Sequence, residues 1–110
     1  MVKIGWKPEG ELQVLGHAGG GKKGEDLVCA AVSALVLTLA ANTDRMARAG
    51  WVTDPVIRLA DGSARICCTP TKEYRAAAEL IFGSICAGFE VLAGKYPEHV
   101  QVEESALPVI

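Results

Sequence analysis

A chain of 110 residues, half of them apolar and about a fifth charged, has the makings of one packed domain spanning 1–110 and is too apolar for a disordered segment. Its net charge of −2 and pI near 5.6 leave no basic excess to neutralise a phosphate backbone, which argues against direct nucleic-acid binding. No basic segment followed by an apolar run opens the chain, and the four cysteines, at 29, 67, 68 and 86, follow no disulfide spacing, so reduced thiols in the cytoplasm are expected.

In chain order, Val2 to Trp6 reads as a first strand and Pro8-Glu9-Gly10 as a turn. Leu12 to Leu15 reads as a second strand. Residues 16–24 follow as a glycine-rich loop, with Gly16, Gly19, Gly20, Gly21 and Gly24 free to take positive φ, and this loop is expected to be mobile. Asp26 is the expected N-cap of a long helix that runs to about Ala49, with Gly50 just past its end and Arg45 and Arg48 in its last turns. Trp51 to Ala60 reads as an edge strand, because Pro55 cannot donate to a ladder. Asp61-Gly62 is a hairpin turn leading into Ala64 to Thr69. Thr69-Pro70-Thr71 opens a second helix that Tyr96-Pro97 stops near Lys95, and His99 to Glu103 alternates as a short last strand.

The expected fold is therefore α+β: a two-layer ββαββα unit plus a short C-terminal strand, with a small, mostly antiparallel sheet covered on one face by two long apolar helices. Leu27 to Thr43 is uncharged over 17 residues, short of the about 20 that a spanning helix needs. It contains Ser33, Thr38, Asn42 and Thr43 and is bracketed by Asp26 and Asp44, so it reads as a buried helix with no membrane partner. Both helices are apolar around most of their circumference, more than one small sheet can cover, and a homodimer is the expected remedy.

One pair of residues could carry chemistry. His17 follows a strand, and Cys29 lies one turn beyond the expected cap, where free backbone N–H groups and the positive end of the helix dipole favour a thiolate. An imidazole nearby would serve as base or as cationic partner. A cysteine in an apolar helix is usually a small packed hydrophobe, and a lone histidine after a strand is usually a solvated loop residue. The two gain weight together because they flank a glycine loop at a helix N-terminus.

The residues between 16 and 35 also match a known pattern. Gly16-His17-Ala18-Gly19, followed by Gly24-Glu25-Asp26-Leu27-Val28-Cys29-Ala30-Ala31-Val32-Ser33, resembles the signature of the bacterial ribosomal-processing cysteine protease (Prp) family. Tyr96-Pro97 with Val100 and Val102 is similar to that family's closing segment. The resemblance implies a dyad of Cys29 as nucleophile and His17 as base, with no metal and no cofactor. It implies a ribosomal protein precursor as substrate: the N-terminal extension of the twenty-seventh protein of the bacterial large ribosomal subunit, removed next to an aromatic or apolar pair. Asp26 matches the family's acidic position, where it caps the helix or orients His17; Ser33, one turn after Cys29, is a possible supporting residue that more naturally bonds the helix backbone. Gly20 stands where family members often carry an aromatic residue, a departure that bears on the loop and on substrate preference.

Two rival chemistries fail on residue type. Gly16 to Lys22 fits G-x-x-x-x-G-K, but Lys23 replaces the Ser or Thr that would hold magnesium, and Glu25 and Asp26 stand where phosphate would sit. Cys67 and Cys68 are neighbours on a strand and point to opposite faces, so they do not ligate one ion. The remaining alternative is of another class: a non-catalytic, ribosome-associated or scaffold dimer in which Cys29 is merely packed.

Overall fold

The computed structural model describes residues 1–16 and 23–103, and side chains from residue 27 onward in the first helix. Five strands and two helices follow one another as β1 (Val2–Lys7), β2 (Glu11–Leu15), α1 (Lys23–Arg48), β3 (Val52–Ala60), β4 (Ser63–Pro70), α2 (Arg75–Lys95) and β5 (Val100–Val102). The sheet has the order β3-β4-β2-β1-β5, antiparallel throughout except where β5 runs parallel to β1. This is the expected two-layer α+β architecture, with both helices on one face.

Alternation dictates which side chains meet the helices. On β1, Val2 and Ile4 turn inward, and on β2, Leu12 and Val14 do so. Their partners across the ladder continue the same rows: Leu12 lies opposite Ile66, and Ile66 opposite Ile57. From α1 come Val28, Val32, Val36, Leu39, Thr43 and Met46, and from α2 Ala78, Phe82, Cys86 and Phe89, at the three- and four-residue spacings of one helix face. Each fully buried aliphatic or aromatic side chain contributes about 1.5–3 kcal/mol. By length and composition both helices could cross a membrane, yet this periodic packing against the sheet makes each of them the core helix of a two-layer domain.

The core thins toward one edge. Along the row Ile4, Val14, Ala64, Leu59, exposure is 1%, 5%, 8% and then 47%. Ile57, in the neighbouring row, is also exposed at the β3 edge. The helices cover β1, β2 and β4 and leave the inward face of β3 partly open.

Two helix starts differ from expectation. α1 begins at Lys23, so Asp26 lies within the first turn and is not the N-cap. Glu25 and Asp26 are residue types favoured beside the positive end of a helix, and Gly24 costs least in a first turn, whose N–H groups have no intrahelical acceptor in any case. α2 begins at Arg75, four residues after Thr71. Thr69 and Pro70 belong to β4, the Thr71 N–H and hydroxyl both donate to the Trp51 carbonyl, and Tyr74 stacks on Trp51 with ring centroids 5.0 Å apart. These tertiary contacts hold the segment extended until the helix can begin. The helix ends behave as expected: Gly50 has φ +80, and the Tyr96 N–H closes α2 on the Leu92 carbonyl at 2.7 Å.

Candidate active site

At the end of the sheet where β1 starts and β2 stops, the space between α1 and the sheet opens into a cleft of about 360 Å³. Its floor is apolar, made by Val2, Val14 and Ala64. One wall is α1, which contributes Cys29, Val32, Ser33, Val36 and Leu37; the other is the β3–β4 hairpin from Leu59 to Ser63. Cys29 and Ser33 share the wall because four residues make about one helical turn.

The hairpin is fixed in place by local geometry. Asp61-Gly62 joins paired residues Ala60 and Ser63, and Gly62 takes φ +78 as a tight hairpin turn demands. Its Gly62 carbonyl accepts the N–H of Gly16 at 2.8 Å, tying the hairpin to the end of β2. Gly16 itself has φ +98, and a Cβ there would press on the Met1 carbonyl oxygen. That position therefore requires glycine for its dihedral and for its space. The Val2 N–H donates to the His99 carbonyl at 2.8 Å, so the floor of the cleft is also anchored to β5.

Of the four cysteines, three are unsuited to nucleophilic work. Burial pushes the Cys86 thiol up to about 12 and the Cys68 thiol up to about 11, with the charge of Cys67 adding to the second. Cys67 is raised as well, by lost hydration first, an effect that Arg65 beside it offsets in part. Cys29 is left, half-buried on the cleft wall. It is the seventh residue of α1, further from the helix start than the sequence reading expects. Among the described lining residues Asp61 is the one charged group.

The other sequence-derived site residues fall as follows. Ser33 and Gly16 line the cleft with Cys29. Gly24 and Asp26 lie in the first turn of α1. His17, Gly19, Gly20 and Gly21 lie outside the described residues. Among the described residues no group of three His, Cys, Asp or Glu side chains could hold a metal ion. Cys67 and Cys68 point to opposite faces as expected, the first outward and half-buried, the second into the core. Sequence reasoning did not find the floor or the hairpin wall. The hairpin turn itself is evident at Asp61-Gly62, but nothing local says that it faces a helix more than twenty residues upstream.

A sequence model described as Cysteine protease Prp matches residues 7–101. The chain belongs to this family. The protein also superposes on solved structures over nearly its whole length. SMU.848 of Streptococcus mutans matches with a TM-score of 0.72 and 27% identity over 94% of this chain and 93% of that one. Two structures of the ribosomal processing protease Prp of Staphylococcus aureus, one with a substrate peptide and one with a covalently linked product peptide, match with TM-scores of 0.67 and 0.68 at 21% and 23% identity. Each covers 94% of this chain and 97% of the other, and these two likenesses speak to the fold. A comparison with curated proteins gives no match. Among the four cysteines, Cys29 is the one that lines this cleft.

Proposed function

We propose that this member of the Prp family is the cysteine endopeptidase that removes the N-terminal extension of the twenty-seventh protein of the bacterial large ribosomal subunit, with Cys29 as nucleophile and His17 as base. The observation that carries this reading is the position of Cys29 on the wall of an open, peptide-sized cleft that none of the other three cysteines lines. In the reaction the Cys29 sulfur attacks the scissile carbonyl and the electron pair moves to oxygen. Backbone N–H groups stabilise that oxyanion. The tetrahedral adduct collapses with expulsion of the amine, which His17 protonates, leaving a thioester. Water activated by His17 then adds to the thioester and releases the acid and the thiol. Asp26 and Ser33 have supporting roles in this scheme, Asp26 by orienting His17 and Ser33 by lining the groove beside the sulfur.

The working form is a homodimer in the cytoplasm. Its support is apolar surface on both helices: Leu27 and Leu37 on α1 and Leu80 and Val91 on α2 are each more than half exposed. Sedimentation as a dimer at micromolar concentration is the expected result, and a clean monomer would contradict it.

The deciding experiment incubates the wild type, Cys29→Ser and His17→Ala with the extended ribosomal protein of the same organism. Loss of the extension with the wild type alone is expected. A folded wild type that leaves the precursor intact, with Cys29 slow to alkylate, would instead support a packed cysteine in a binding protein.

A further inference from the structure

The strand β3 forms one edge of the sheet, and its two halves differ. Near its start the pairing with β4 slips by one residue between Thr53 and Val56, with Asp54 at φ +53 and Pro55 unable to donate. A bulge and a proline are devices that block further pairing along an edge. From Val56 to Ala60 the register is regular, and the outward backbone groups have no partner among the described residues. Five residues span about 17 Å of unguarded edge. Its far end, Leu59 and Ala60, is part of the wall of the cleft that holds Cys29.

We propose that the open edge Val56–Ala60 receives the peptide substrate as an added sixth strand, which carries the scissile bond along the sheet and into the cleft. This rests on the protease reading above. An extended peptide is the occupant that the observations favour, because edge and cleft are one continuous surface. A second copy of the chain is disfavoured in the two-fold register that pairs all five residues: it is centred on Arg58 and sets two Arg58 side chains opposite each other. Each already faces Arg65 across the ladder, and like charges directly opposite are destabilising.

The pairing fixes what the substrate presents. On a strand beside β3, alternate side chains enter the trough left by the thinning core, against Ile57 and Leu59, both partly exposed. The intervening side chains emerge on the open sheet face beside Arg58 and Arg65, for which no carboxylate lies within ion-pair distance among the described residues. The recognised segment is therefore extended, apolar at every second position, and tolerant of acidic residues between.

The test uses the whole chain as Cys29→Ala, which binds without cutting, and a fluorescent ten-residue peptide spanning the cleavage point of the extended ribosomal protein. Single N-methylations are placed along the peptide backbone, and affinity is read by anisotropy. Methylation at every second position should weaken binding about tenfold, the effect of one lost hydrogen bond with its unsatisfied partner, while the positions between should tolerate it. Hydrogen exchange should slow within Val56–Ala60 only when peptide is present. A flat or non-alternating scan, or protection elsewhere, overturns the pairing. Protection of this edge that is independent of peptide and lost on dilution also overturns it, and assigns the edge to a second copy. A wild type that still cuts the precursor in any of these cases leaves the protease reading standing, whereas a chain that neither cuts nor binds overturns both.

Discussion

Four cysteines of one chemical type behave differently here because of where the fold puts them. Cys86 is fully buried between α2 and the sheet, Cys68 lies under the turn at Gly10, and Cys29 borders open space. Iodoacetamide at pH 7 should therefore label Cys29 of the folded protein first, with Cys68 and Cys86 reacting only on unfolding. Mass spectrometry of the digested protein would show this, and comparable rates at all sites would contradict it. Gly16 is a second residue whose identity is dictated by its surroundings. Gly16→Ala combines a left-handed dihedral with a collision at the Met1 carbonyl, and a loss of about 2 kcal/mol is expected in denaturant unfolding. The same variant should lose cleavage activity in step, because Gly16 ties β2 to the hairpin wall.

Among the secondary elements, the helix ends and the hairpin are legible in the sequence, whereas the helix starts and the cleft are not. Gly50, Tyr96-Pro97 and Asp61-Gly62 act through their own covalent geometry, so no distant contact is needed to read them. The start of α2 depends on Trp51 stacking on Tyr74, a contact between residues 23 apart that no local pattern announces. The early start of α1 sets a run with Gly24 inside the first turn, where low glycine propensity misleads. Likewise Cys29 and Ser33 share a wall by helical spacing alone, while Leu59 to Ser63 join them only through the tertiary fold. Thr43 adds a prediction on α1. Its hydroxyl is completely buried and has no hydrogen-bond partner among the described residues, so Thr43→Val keeps the shape and removes a dehydrated polar group. A gain of about 1 kcal/mol and a higher Tm are expected; an unchanged or lower Tm would mean that the hydroxyl is satisfied.

For the molecule as a whole, the raised thiols make stability depend on alkaline pH. Folded Cys86 keeps its proton to about 12 and Cys68 to about 11, whereas the ordinary value is 9.0. Between those limits the unfolded chain binds fewer protons than the folded one, so stability falls as pH rises above 9 and is flat with respect to these groups below it. Each thiol contributes a slope of about 1.4 kcal/mol per pH unit where the two states differ by a full proton. Urea titrations from pH 8 to 11 should show the decline, and Cys86→Ala should start from lower stability but decline less steeply. The partly covered helices add the other molecular property, since a dimer that buries Leu80 and Val91 would make the unfolding midpoint rise with protein concentration.

The parallel pairing of β5 with β1 also has a consequence in time. Val2, at the floor of the cleft, is held by His99 and by Val100, nearly the whole described chain away. Closing so long a loop comes at the slow, late stage of folding, after the local hairpins have formed. On the ribosome, Cys29 is made early, but the groove beside it has no finished floor until residue 102 has been synthesised and has emerged. A nascent chain thus passes through most of its own translation without a finished cleft.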